Sequence, residues 1–286
     1  MNFWEKLGKI DRRIIYAILA LVVIVPLIVT IKLPSKVRAM PRTQDVFNFV
    51  DNIDPSSQRK ALMLSVDYDP QVQPELTPQL EAVVRHAFAK GIPIVVVSPL
   101  SLLGVNISVD VLTRLAREHN KEYGKDYVIL GWVPGDIAVI LGMGKSIEQT
   151  YRVDNDGTPI GQIPMMSDIR SYDDVGLIVT FTGSSAYSTW VVYAYTPFKV
   201  PVAVGTTAVS IADIYPLLGS RQLIGMLGGM KAGAEYERLV KDKYFPDKDI
   251  FLRATQSLPA LSASLVVIML FVIIGNISFF ATRRKS

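Results

Sequence analysis

The chain has 286 residues, half of them hydrophobic, a formal net charge of +4, two histidines and no cysteine. That length suits one large or two small domains. The missing thiols exclude disulfides and thiolate metal sites, and the absence of a basic run in the central region argues against nucleic acid as a partner.

In chain order, the first element is Ile14–Ile31, apolar apart from Tyr16, Pro26 and Thr30. It approaches the ~20 residues that a helix needs to cross a bilayer core. It is longer than the apolar region of a secretory signal, and the following Ile-Lys-Leu-Pro-Ser-Lys is no small-residue cleavage site, so an uncleaved anchor is expected. A proline-interrupted connector follows (Pro34, Pro41, Pro55). Within it, Val46, Phe49, Val50 and Ile53 recur at helical spacing over Asp45–Ile53.

The run Ala61–Val66 then ends at two aspartates, Asp67 and Asp69. A buried strand that delivers polar groups at its C-terminal end is how an open α/β sheet begins and where it binds ligands. Thr77-Pro78 offers a helix start, Leu80, Val83, Val84, Ala87 and Phe88 a buried face, and Gly91 a stop. Ile92–Ser98 is a second, almost continuously apolar strand, which completes a βαβ unit. A helix is expected over Val109–Glu122, a strand at Tyr127–Gly131, and a helical or extended piece at Ile137–Gln149. Turn residues fill Tyr151–Ser171, which reads as a surface loop or lid. Val175–Thr182 is a strand that turns through Gly183-Ser184-Ser185 into a helix bearing Tyr187, Trp190, Val191 and Ala194. Val200–Gly205 is the next strand, ending at Thr206-Thr207.

A last long helix is expected within Arg221–Tyr244. Gly225, Gly229 and Gly233 would lie on one face of it, a small-residue stripe that suggests a close helix contact, as an internal packing surface or as a subunit interface. Leu261–Ala281 is a second apolar run, closed by Arg283, Arg284 and Lys285. Basic residues flank both anchors on the domain side as well, but short tails weigh more than long loops in setting orientation. Both termini are therefore expected in the cytoplasm and the central domain outside it.

In a parallel sheet the strand ends share one crevice. Here it would hold Asp67, Asp69, Ser98, Gly183, Ser184, Ser185, Thr206 and Thr207. Hydroxyls and helix-start amides suit an anion, and two carboxylates suit a hard cation such as magnesium. The same residues also serve as helix caps and turn formers. Asp67-x-Asp69 after one strand and Ser98 at the end of the next resembles the first two motifs of the haloacid-dehalogenase-like phosphotransferases. The resemblance implies a nucleophile at Asp67, a general acid/base at Asp69 and a phosphate-binding hydroxyl at Ser98. Pro70 departs from that pattern, and Asp173-Asp174 precede a strand where the family's later acidic motif should follow one.

Gly142–Ser146 resembles a phosphate loop but has Val139 where its first glycine belongs, and Gly183-Ser184-Ser185 lacks the nucleophile-elbow pattern. His86 and His119 fall in expected helices as surface residues, and Glu235 and Glu237 read as the polar face of the last helix.

The expected architecture is α/β: a Rossmann-like, mostly parallel sheet with helices on both faces, flanked by two transmembrane helices. Its divisions are a tail over 1–13, a span over 14–33, a connector over 34–59, an extracytoplasmic domain over 60–257, a span over 258–282 and a tail over 283–286. The leading functional expectation is a non-catalytic subunit of an oligomeric membrane complex, in contact with the lipid bilayer and with copies of itself or other subunits. The alternatives are a domain that binds a small anion or phosphate, and a metal-dependent hydrolase or phosphatase built on the strand-end aspartates.

Overall fold

The computed structural model describes residues 11–29 and 39–283. Two compact units divide them: the apolar terminal helices make one, and the α/β region ending at Ala254 makes the other.

The N-terminal apolar run is helical over Arg12–Ile28 (α1), with the Asp11 carboxylate accepting from the Arg13 amide at 2.9 Å. Its 17 residues reach about 25 Å at 1.5 Å per residue, short of a ~30 Å hydrocarbon core. The end of the expected span (30–33), the start of the connector (34–38) and most of both tails (1–10 and 284–286) lie outside the described residues. Among the described residues one helix is long and apolar enough to cross a membrane. It is the 31-residue Arg253–Arg283 (α10), over its Arg253–Ala281 stretch. The expected pair of spans is thus reduced to one candidate.

The second unit is α/β. Six parallel strands make one sheet: β1 (Ala61–Val66), β2 (Ile94–Val97), β3 (Tyr127–Gly131), β4 (Val175–Thr182), β5 (Val202–Thr206) and β6 (Met226–Gly228), in the spatial order 3-2-1-4-5-6. The centre of the sheet is β1, with Leu64 opposite Val96 on β2 and Val179 on β4. Both faces are covered, which is why the strands read as unbroken apolar runs. Leu62 and Leu64 join a core with α2 (Pro41–Asp51), α3 (Gln73–Lys90), α4 (Leu102–His119) and α9 (Gly229–Tyr244). Ala61 and Met63 face the opposite core, built with α5 (Ile137–Met143), α6 (Ile147–Tyr151), α7 (Ala186–Trp190) and α8 (Ile211–Gly219).

Several expectations are corrected. Helix α3 begins at Gln73, with Pro74 in its first turn, and ends at Gly91, whose φ of 70° gives the left-handed stop that glycine permits. The amphipathic connector piece is α2, and Val46, Val50 and Ile53 are buried in the first core, so it belongs to the α/β unit. The segment after Tyr151 is no lid. Ile160, Ile163, Met165, Met166, Ile169 and Tyr172 place it in the second core. The long helix expected within Arg221–Tyr244 is present but begins only at Gly229, because β6 (Met226–Gly228) precedes it.

That last change removes the glycine face. Gly225 precedes β6, where a Cβ would fall 2.8 Å from the Arg42 carbonyl oxygen and 2.7 Å from Val46. Gly229 makes the strand-to-helix turn with φ of 66°, and Gly233 faces Ala254 and Gln79. Each glycine meets a different neighbour within this chain. Gly225 and Gly229 permit internal close approach, Gly233 makes ordinary contacts, and the three share no outward helical surface.

Candidate functional site

At the end of β1 the side chains alternate, so Ser65 and Asp67 both turn to the second face. Asp67 is only 6% exposed. Its Oδ2 accepts from the Ser65 hydroxyl, from Trp190 Nε1 at 3.1 Å and from the Thr180 hydroxyl at 3.4 Å, and its Oδ1 accepts from the Leu100 amide at 3.0 Å. These donors come from β1, β4, α7 and the turn that leaves β2, so one carboxylate ties four segments at the sheet centre. Burial raises its pKa from 3.8 to about 6, against the lowering effect of those four bonds. Near neutral pH it is a buried anion held by dipoles.

The other strand-end residues share the same edge but not a common site. Asp69 is exposed and accepts from the Ser101 hydroxyl at 3.0 Å. Ser98 lies beneath α4 with its hydroxyl unpaired, close to Gly104. Ser184 closes its own turn: its amide donates to Thr182 Oγ1 at 3.1 Å, and its Oγ accepts from the Ala186 amide at 3.3 Å. Ser185 stands at the start of α7 and makes no capping bond with its side chain. Gly183 packs against Val72, and a Cβ there would lie 3.1 Å from a Val72 methyl. Thr206 is buried with an unpaired hydroxyl, and Thr207 pairs with Ser210 at 3.3 Å.

The dinucleotide fold order is therefore present without its phosphate-binding turn. Where that turn needs glycines for close backbone approach, the first βα connection reads Asp67-Tyr68-Asp69-Pro70. A cation at Asp67 would have to displace four donors. Among the described residues no three His, Asp or Glu side chains converge as a metal site. The chain matches no known protein family, no curated protein and no solved structure. The molecule's own geometry must carry the functional reading.

Glu235 and Glu237, which read as a polar helix surface, turn out to be buried, as does Glu81. Glu235 is buried on α9 and accepts from the Met40 amide and the Thr43 hydroxyl, both at 3.0 Å, at the start of α2. Glu237, also buried, accepts from the Ala254 amide at 2.9 Å at the start of α10. On α3, buried Glu81 pairs with Arg114 at 2.5 Å and Arg253 at 3.2 Å. Two glutamates of α9 thus cap α2, the first helix of the α/β unit, and the start of α10 at Ala254, where that unit ends. A carboxylate at a helix N-terminus meets free amides and the positive end of the helix dipole. Sequence could have signalled this only through the pairing of these acids with apolar neighbours such as Ala232, Ala234 and Tyr236.

A second polar cluster fastens α2 at the amino edge. His86 is fully buried, stacked on Phe47, and bridges Tyr236 (2.9 Å) and Asp51 (3.3 Å). Burial, which disfavours the imidazolium, outweighs the pull of Asp51 and lowers its pKa from 6.5 to about 4. Asp51 also accepts from Lys243 at 2.6 Å and Tyr244 at 2.5 Å. Burial opposes its ionisation, but these bonds hold it near 2. The surface role expected for His86 is corrected to a core one, and His119 is half-buried against Phe88 and Phe245.

Proposed function

We propose that the chain is a membrane-anchored, non-catalytic α/β subunit of a membrane assembly. The observation that carries this reading is the state of Asp67. The strand-end carboxylate best placed to act as nucleophile or metal ligand is instead saturated with four donors and closed to solvent. Two further features support it. Helix α10 is long, apolar and exposed along its length. The buried carboxylates of Glu235 and Glu237 fix both ends of the domain, as suits a unit whose position at a membrane matters. In this reading the apolar N-terminal run that contains α1 supplies a second span. The basic tails stay in the cytoplasm and the domain lies outside it.

The test is purification of the full chain in mild detergent after cross-linking in cells. It should migrate with copies of itself or other subunits at fixed stoichiometry, and it should not turn over p-nitrophenyl phosphate with magnesium. A solitary species with magnesium-dependent turnover, abolished by Asp69→Asn, would overturn the proposal in favour of a phosphatase.

A further inference from the structure

Helix α10 has two unlike sides. Its less exposed positions include Ala260, Ser264, Val267, Phe271 and Ser278, of which Ala260 and Ser278 are buried. At 3.6 residues per turn these lie within roughly 60° of one another around the axis. The opposite side is open along its length. Leu265, Met269, Val272 and Phe280 are 53%, 57%, 58% and 63% exposed, and they recur at the three- and four-residue spacing of one helical stripe.

A single polar residue interrupts that stripe. Asn276 is exposed and stands roughly 160° around the helix from Ser278. Its Nδ2 donates to the Val272 carbonyl at 2.8 Å, which uses one of its two N–H groups. Among the described residues the second N–H and Oδ1 have no partner. Arg283, the next charged residue in the chain, lies about 10 Å further along the axis. In the anchoring reading Asn276 is therefore inside the hydrocarbon, where no water completes its bonds. A polar side chain at that depth calls for a neighbour that offers both donor and acceptor.

The chain narrows the choice of neighbour. Helix α1 belongs to the same compact unit, but no hydrogen-bonding side chain occurs between Tyr16 and Thr30 of its apolar run. A second α10, inserted the same way, brings its own Asn276 to the same depth. A carboxamide is donor and acceptor at once, so two copies related by a twofold axis satisfy each other.

We propose that α10 pairs in parallel with the α10 of a second copy of this chain, through Leu265, Met269, Val272, Asn276 and Phe280, with the two Asn276 carboxamides hydrogen-bonded to each other. This rests on the anchoring reading above and names the partner that reading leaves open.

The chain lacks cysteine, so a single introduced cysteine reports on one side of the helix. Val272→Cys and Val267→Cys, on the full chain in phosphatidylcholine vesicles, would be oxidised with copper phenanthroline at increasing lipid-to-protein ratios. Carbonate extraction of the same vesicles reads the anchor separately. Val272→Cys should give a disulfide-linked pair at least about fivefold more readily than Val267→Cys. Adding Asn276→Leu should weaken the pairing roughly tenfold, whereas Asn276→Gln, which keeps the carboxamide, should retain it. A chain that resists carbonate but does not cross-link at 272, or cross-links equally at 272 and 267, overturns the proposal with the anchor intact and leaves that side to another protein's helix. Cross-linking at 272 that Asn276→Leu leaves unchanged removes Asn276 from the contact and overturns it as well. Release by carbonate removes the anchor and the proposal together.

Discussion

Replacing Asp67 by asparagine separates two buried titrations that oppose each other. Asp67 has a folded pKa of about 6 against 3.8 unfolded, so the folded state holds its proton more tightly. Its contribution to stability is complete below about pH 4 and is lost as pH rises through 6. His86 has a folded pKa of about 4 against 6.5 unfolded. Its contribution is complete above about pH 6.5 and is lost as pH falls through 4. At about 1.4 kcal/mol per unit each amounts to roughly 3 kcal/mol, with opposite signs over the same window. These two contributions should therefore nearly cancel from pH 4 to 6.5, leaving the rise with pH that His119 adds, because burial lowers its pKa as well.

Asp67→Asn removes one of the two. Two of its four donors are hydroxyls that can rotate to accept from the new amide. The other two, Trp190 Nε1 on Oδ2 and the Leu100 amide on Oδ1, cannot. Either orientation of the asparagine leaves one N–H facing an NH2 group, at a cost of about 1–3 kcal/mol. A protonated carboxyl avoids this, because its hydroxyl oxygen still accepts. The variant should thus be less stable than the native chain by about 1–3 kcal/mol at pH 4, gain about 3 kcal/mol between pH 4 and 6.5 as the slope of His86 is uncovered, and so match the native chain or exceed it by up to about 2 kcal/mol at pH 7. Urea denaturation of the full chain in mild detergent, followed by tryptophan fluorescence, measures this directly. A variant whose stability stays flat across that window would refute the opposed titrations.

Gly104 lies on α4 over the end of β1, where a Cβ would overlap the Val66 carbonyl oxygen and sit 2.9 Å from its carbon. The neighbour is backbone and cannot yield, so Gly104→Ala should cost about 3 kcal/mol or more, whereas Gly219→Ala, with nothing within 4 Å, should shift stability by less than about 1 kcal/mol; equal melting temperatures would refute the close approach. Glu235→Ala should strand the Met40 amide and the Thr43 hydroxyl and speed hydrogen exchange at the start of α2 roughly tenfold. Glu237→Ala should do the same at Ala254. Unchanged exchange at either place would remove that glutamate from its capping role.

What the sequence disclosed follows the range of the interactions involved. Strands β1 and β4 and the βαβ unit were legible because both sheet faces are covered, which leaves continuous apolar runs, and because Gly91 and the prolines punctuate α3 locally. Strand β6 was not. It has three residues, and glycines at 225, 229 and 233 mimic a helical repeat although Gly225 answers a close approach to Arg42 and Val46 and Gly229 a positive φ. The segment after Tyr151 read as a loop because its turn residues dominate locally, while the apolar residues between them reach the core without periodicity. The strand-end edge was found from Asp67 and its neighbours. The saturation of Asp67 depends on Thr180, Trp190 and Leu100, which are distant in sequence and brought together only by the 3-2-1-4-5-6 order. Glu235 was misread for the same reason: its partner is the amide of Met40, 195 positions away.

The claim on which the account turns is that the α/β domain is held at a membrane by its apolar helices. Alkaline carbonate extraction of membranes from cells that express the full chain tests it most directly. The account predicts that the protein stays in the membrane pellet and is released only by detergent. Its appearance in the carbonate supernatant would contradict the anchor, and with it the subunit role.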